Sequence, residues 1–234
     1  MNKEEFKEYL NKLNININDE IMNQLDTYYK YLVEYNSHTN LTAITEEKDV
    51  YLKHFYDSIL VASYYDFNKV NNLIDVGTGA GFPGVILKIF FPNIEVTLLD
   101  SNNKKITFLN NLIKKLNLKG IKTVQTRSEE YALANLDSYD VVIARAVKNL
   151  PELVELCLPL VKVNGYFISL KGHADEELEL AKSGIQKLNG KVERIEKLKL
   201  PKEEAERNII FINKIDKTPK GYPRRYDQIV KKPL

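Results

Sequence analysis

The sequence predicts an α/β fold: a mostly parallel sheet with helices on both faces, preceded by a helical cap. Three observations predict it. From Asn71 to Lys214, short β-branched apolar runs alternate with helical segments, the pattern of a parallel sheet covered on both sides. The first of those runs ends in a glycine-rich turn that leads straight into a helix. Ahead of Asn71, apolar residues recur at helical spacing.

The elements follow in order. Ile21, Leu25, Tyr28, Leu32 and Tyr35 form one apolar stripe, and Asn18 or Asp19 is placed to cap that helix. The small polar residues of NSHTNLTAIT break the pattern, and KDVYLKHFYDSILVASYY starts a new helix. NLIDVG is a strand, GVILKIFF a helix stopped by Pro92, and EVTLLD the next strand. KKITFLNNLIKKLNLKG is an amphipathic helix closed by Gly120. Strand KTVQT, helix SEEYALANL, strand YDVVIA, helix LPELVELCLPLV and strand GYFISLK come next. Helix DEELELAKSGIQKLNG and a last strand, RNIIFINK, complete the sheet. The tail TPKGYPRRYDQIVKKPL has no periodicity and reads as a loop or a docked arm. The expected division is a cap over residues 1–68, the sheet domain over 69–216 and a basic tail over 217–234.

Composition narrows the function classes. At 234 residues the chain suits one large domain with a small extension, and 44% hydrophobic with 28% charged residues is ordinary for a globular protein. A net charge of +2 is too small to argue for nucleic acid by itself, so any basic footprint must be local. The single cysteine, Cys157, excludes a disulfide framework and a multi-cysteine zinc site, and suits a reducing compartment. The polar start MNKEEFKEYL is not a secretory signal, and runs such as ILKIFF are too short to span a bilayer. A soluble, cytoplasmic protein is expected.

The sharpest signal is the loop from Asp75 to Gly84, DVGTGAGFPG. Glycines serve there because the backbone must turn tightly and approach a ligand closely. Asp100, at the end of the second strand, supplies a carboxylate where a ribose presents its hydroxyls. Gly79 to Gly84 also matches the dinucleotide fingerprint, with Asp100 about 20 residues on, so an NAD-dependent oxidoreductase stays open on pattern alone. Two features weigh against it: Asp75 precedes Gly77, Gly79 and Gly81 in the manner of class I methyltransferases, and no second domain for a hydride acceptor is evident.

Other polar residues are weaker candidates. His54 and Asp57 lie three apart on one predicted helix, where they can meet, either bracing the glycine loop, orienting a substrate or simply capping. His38 and His173 stand alone, so no metal is expected. Asn40 suits a turn, and Cys157 shares core spacing with Leu153, Leu156 and Leu160. Basic residues gather late, at Lys171, Arg207, Lys217, Lys220, Arg224, Arg225, Lys231 and Lys232, with Tyr222 and Tyr226 among them. Such a run suits phosphate contact and base stacking, though charge alone reads as a solvated tail.

The segments Asp75–Gly84, LLDSNNKKITFL, YDVVIARAV, LCLPLV, SLKG and YPRR…KKPL resemble the RsmG (GidB) family, and the likeness runs from NLTAIT and HFYDSI to the last residue. The resemblance implies S-adenosylmethionine-dependent methylation of guanine N7 in 16S ribosomal RNA. It implies that Gly77, Gly79, Gly81 and Phe82 surround the methionine and ribose parts of the cofactor, and the loop pattern sets Asp75 and Asp100 beside them. Ser128 and Glu129 would line the adenine pocket, and Arg145 would contact cofactor or target base. It turns the late basic residues, Lys171, Arg207, Arg224, Arg225, Lys231 and Lys232 among them, into RNA contacts. The chain departs from the family's pattern at Ala144, at Thr126 and in a tail that lacks the usual Gly-x-Pro after its basic pair. A small-molecule methyltransferase is a further rival reading.

The residues also bear on which atom is methylated. Exocyclic amines are usually methylated with an Asp/Asn-Pro-Pro-aromatic loop after the fourth strand, where this chain has Ala144-Arg145-Ala146-Val147. Pyrimidine carbons usually need a cysteine nucleophile. An atom with a free lone pair remains. Guanine N7 is such an acceptor and needs no deprotonation, so Arg145 is expected to position and no general base is assigned.

Overall fold

The computed structural model describes residues 1–145, 147–203 and 205–234. Its strands are β1 (Asn72–Val76), β2 (Glu95–Asp100), β3 (Ile121–Gln125), β4 (Tyr139–Arg145), β5 (Val161–Lys171), β6 (Gly190–Lys199) and β7 (Glu206–Lys214). They form one sheet in the order β3-β2-β1-β4-β5-β7-β6. The first five run parallel, β7 is antiparallel to β5, and β6 closes the edge antiparallel to β7. Strand order reverses at β1, whose neighbours are β2 and β4, so a crevice opens at the carboxyl ends of those three strands.

Alternate residues of each strand feed two cores. Leu73, Leu98, Val141 and Ile143 pack on one face with the N-terminal helices α1 (Lys3–Lys12) and α2 (Asp19–Thr39), and with α5 (Gly84–Phe90) and α6 (Asn103–Lys115). Ile74, Val76, Val142 and Phe167 pack on the other face with α8 (Leu150–Cys157) and α9 (Asp175–Lys187). The cap is therefore not a separate body: Phe6, Leu10, Leu25 and Tyr28 are fully buried in the same core as the sheet. Each such side chain contributes about 1.5–3 kcal/mol by leaving water.

Asn18 caps α2, its side chain accepting from the Ile21 amide. Between α2 and β1 the chain is helical but irregular: α3 (Glu47–Asp49), a π-helical stretch at Val50–Tyr56, α4 (Asp57–Ile59) and a 3₁₀ turn at Leu60–Ser63. Among the π contacts, the Asp57 amide reaches the Leu52 carbonyl, five residues back. Elsewhere α7 (Ser128–Leu133) follows β3, and α10 (Tyr226–Lys231) lies in the tail.

The structure corrects two expectations and decides a third in favour of one of its two readings. Helix α6 stops at Lys115, and Asn117, in the left-handed conformation at φ 50°, turns the chain; Gly120 instead leads into β3. The strand at 190–199 is new, because its KVERIEKLK alternation carries charge on both faces of an exposed edge. Such charge guards a free edge against further pairing. The tail is a docked arm with a helix in it. Ile229 of α10 is fully buried, and Leu234 sits over Gly184, where an added Cβ would lie 3.0 Å from the leucine's own.

Candidate active site

A cavity of about 440 Å³ occupies the crevice, open at the carboxyl ends of β1, β2 and β4. Its floor is the glycine loop. The Gly77 and Thr78 amides donate to the Leu99 carbonyl at 2.8 and 3.1 Å, locking the loop to the end of β2. Gly79 stands at φ +62°, and a Cβ there would meet nothing closer than the Gly77 carbonyl at 3.9 Å. Glycine is needed for that backbone, and the space in front of it belongs to the cavity. The Asp100 carboxylate accepts from the Gly79 amide at 3.0 Å, the Asn102 amide at 2.9 Å and Lys105 Nζ at 3.3 Å. It is nearly buried yet faces the cavity.

Two loop residues face away. Asp75 is fully buried, one carboxylate oxygen accepting from Thr78 Oγ1 at 2.7 Å and the Gly84 amide at 2.8 Å, the other without a partner among the described residues. Burial pushes its pKa up to about 6. Asp75 is a strut behind the loop. Gly81 packs inward, where a Cβ would collide with Val85 and the Tyr28 hydroxyl at 2.6 and 2.7 Å. Neither lines the cavity.

One wall is built on Phe82. The His54 ring stacks on it at 4.4 Å and 16°, and Tyr28 stacks on it at 5.2 Å and 8°. Tyr28 is itself fixed by a hydrogen bond from its hydroxyl to the Ala80 carbonyl. The Arg145 guanidinium lies 5.3 Å from the Phe82 centroid. It donates to the Lys53 carbonyl at 2.8 Å, Asp57 Oδ2 at 3.1 Å and His54 Nδ1 at 3.2 Å. Two of its five N–H groups are left without a partner among the described residues, on a side chain that lines the cavity. Asp57 is also held by Arg207 Nε at 2.8 Å.

This arrangement fixes the histidine. Arginine can only donate, so Nδ1 must accept and the ring proton sits on Nε2, directed at Thr42 Oγ1, 3.0 Å away. Burial, with the neighbouring Arg145 charge, pushes the His54 pKa down to about 3. His54 is neutral near pH 7, with both nitrogens engaged. His54 and Asp57 thus meet through Arg145.

The opposite wall rises from α7 and the tail. Ser128 and Glu129 line the cavity, but the serine hydroxyl is committed to the Leu156 carbonyl at 2.6 Å. Burial raises the Glu129 pKa. Arg127, Lys148 and Tyr226 complete that wall, the Arg127 guanidinium lying 4.3 Å from the Tyr226 ring centroid.

The cations expected to face RNA divide into two groups. Lys171 is nearly buried, bound to the Lys148 carbonyl at 2.6 Å and Glu177 at 2.8 Å. Arg207 is tied to Asp57, and Arg224 grips the buried Glu155 with bonds of 2.6–3.1 Å. These three are internal ties. Arg225, Lys231 and Lys232 are exposed. Asn40 closes α2 in the left-handed conformation, His38 is exposed, and His173 pairs with Glu206 at 3.1 Å. Cys157 is fully buried, which pushes its thiol pKa up and leaves it inert. Of the stretch Ala144–Val147, Ala146 lies outside the described residues.

Sequence reasoning missed Thr42, Arg127, Lys148 and Tyr226 as cavity residues. Thr42 lies within NLTAIT, which carried family likeness but no chemistry of its own. The other three are ordinary polar residues that only the fold brings to one place.

The family model for rRNA small subunit methyltransferase G, GidB, matches residues 21–210. The chain belongs to this family. Proteins named ribosomal RNA small subunit methyltransferase G from Bacillus licheniformis and Staphylococcus carnosus are each 49% identical to it. The matches cover 100% of this chain and 99% of the first relative, and 97% and 96% for the second. A SAM-dependent O-methyltransferase structure from Thermotoga maritima superposes with a TM-score of 0.53 at 16% identity, covering 81% of this chain and 73% of that one. The fold is that of class I methyltransferases. Family membership sets aside the oxidoreductase reading that the glycine pattern left open. No described helix is long and apolar enough to cross a membrane.

Proposed function

We infer that this chain methylates N7 of a guanine in 16S ribosomal RNA of the small ribosomal subunit, using S-adenosylmethionine. One observation carries the reading: a single cavity joins a glycine-and-carboxylate floor to an arginine-bearing wall whose histidine has no proton-accepting capacity to spare.

The residues fit the cofactor. Gly79 leaves open space that any Cβ would invade, and Asp100 keeps acceptor capacity toward the cavity for ribose hydroxyls. Glu129 and the start of α7 border the remaining, nucleoside end. When bound, S-adenosylmethionine supplies a sulfonium methyl that is already electrophilic.

The chain's own part is placement. Arg145, with two N–H groups directed at neither Asp57 nor His54, is the group available to hold the guanine beside Phe82. Guanine N7 brings its own lone pair and loses no proton on methylation, so a wall without a free base suffices. Positioning of this kind contributes about 7–11 kcal/mol toward such a transfer. Arg225, Lys231 and Lys232 remain as the tail's phosphate contacts. The same reading places the protein in the cytoplasm, among ribosomal RNA and assembling subunits.

The test is transfer of labelled methyl from S-adenosylmethionine to unmodified small subunits and to their naked RNA, with the product mapped by cleavage at N7-methylguanosine. A single N7 site is expected. Transfer to another atom, or none to either substrate with cofactor binding intact, would overturn the reading.

A further inference from the structure

We propose that the C-terminal helix α10 is the outer wall of the nucleoside end of the cavity, with Tyr226 the tail residue that contacts the adenine ring. The proposal rests on the cofactor reading above and adds to it a binding residue from the tail, a segment that otherwise reads as an RNA arm.

Tyr226 is the one α10 residue lining the cavity, and it does so beside Arg127 and Lys148. These two residues follow β3 and β4, so their long side chains reach the ring from the ends of two strands that are not adjacent. The Arg127 guanidinium lies 4.3 Å from its centroid and the Lys148 ammonium 5.5 Å. Two cations packed against one ring hold it in place through cation–π attraction. Tyr226 and Glu152 beside it raise the lysine's pKa.

The helix bearing this ring is anchored independently of any RNA. Arg224, two residues earlier, clamps the fully buried Glu155 through both carboxylate oxygens, and its backbone amide bonds the same group at 2.8 Å. Ile229, three residues later, is fully buried. The ring is thus fixed on both sides in sequence, at the edge of the pocket.

The wall is also thin. Behind Arg127, Glu129 and Tyr226 lies a second cleft of about 500 Å³ that those residues share with the cavity and that Arg225 and Leu133 border. Removing the Tyr226 ring would open the nucleoside end of the cavity onto the second cleft. An aromatic ring at that place gives a purine an apolar surface to pack against, whatever the rest of the ligand.

Calorimetric titration of S-adenosylhomocysteine and of adenosine into the full-length protein tests this, comparing wild type with Tyr226→Ala and Tyr226→Phe. Tyr226→Ala is expected to weaken both probes by the same factor, about tenfold. Tyr226→Phe keeps the ring and should stay within about twofold of wild type. Equal affinities for wild type and Tyr226→Ala would overturn the wall. A loss confined to S-adenosylhomocysteine would overturn its assignment to the nucleoside end. Should wild type bind neither probe, the cofactor reading itself has failed. Hydrogen exchange on unmutated protein gives a second measurement: S-adenosylhomocysteine should slow exchange of amides 226–231, and unchanged exchange there counts against the proposal.

Discussion

On the Phe82 side of the cavity, His54, Arg145, Asp57 and Arg207 hold one another in a chain, and each is fixed by the next. On the Tyr226 side, a short helix is held by one buried carboxylate and one buried isoleucine. The first wall distributes its constraint over groups drawn from three distant stretches of sequence. The second concentrates its charged ties in Glu155. Distributed ties preserve an orientation when one is removed, whereas a single buried tie fails all at once.

The largest effect should therefore come from the second wall. Arg224→Met leaves the Glu155 carboxylate buried without its cation, which costs about 3–5 kcal/mol. Urea denaturation of the variant should show that loss, and a loss below about 1 kcal/mol would mean the tail is held elsewhere. Arg145→Ala breaks the first wall at its centre. Methyl transfer should fall about 100-fold while S-adenosylhomocysteine binding stays near wild type. A parallel loss of binding would make Arg145 a cofactor residue instead.

Acid separates the Phe82 wall from the strut behind the loop. His54 is neutral when folded, so between about pH 6.5 and 3 the unfolded chain binds the extra proton and stability falls as pH drops. From pH 7 to 5 this amounts to about 2 kcal/mol, and His54→Gln should remove it. Asp75 acts in the opposite sense. Its raised pKa of about 6 means that the folded chain binds the extra proton between about pH 4 and 6, so its burden on stability eases as pH drops through that range. Asp75→Asn should make the acid loss steeper by about 1 kcal/mol over pH 7 to 5. Slopes of the same sign in both variants would contradict this assignment.

The smallest effect belongs to the exposed tail cations. Replacing Arg225 and Lys231 with alanine should reduce the log–log salt slope of RNA binding by about 0.7 for each phosphate that is no longer neutralised. Arg207 serves as the comparison, because its guanidinium is already committed to Asp57. An unchanged slope in the double variant would remove the tail from the RNA surface.

The parallel sheet was legible because strands buried on both faces, such as LIDV and VVIA, read as continuous apolar runs. Strand β6 was not, since Glu193, Arg194 and Glu196 interrupt any apolar alternation. The glycine loop was legible as a spacing, but spacing carries no direction: Gly79 faces the cavity while Asp75 and Gly81 face away. The basic tail shows the same limit. Arg224 and Arg225 are neighbours in sequence, and one is an internal anchor while the other is exposed. Tyr226 reaches the cavity on a tail that is anchored by a buried glutamate of another helix and by its own Ile229.

The π-helical stretch at Val50–Tyr56 has a genetic consequence. Its wider turns hold one residue more than a regular helix of the same rise, and it carries Lys53 and His54 and leads into Asp57. An in-frame deletion of one codon there would be absorbed by reversion to an ordinary α-helix, with residues beyond the lesion kept in register. The polypeptide would still fold, but Lys53 and His54, inside the stretch, would lose the placement that the wide turn gives them beside Arg145. Such alleles would yield full amounts of an inactive protein.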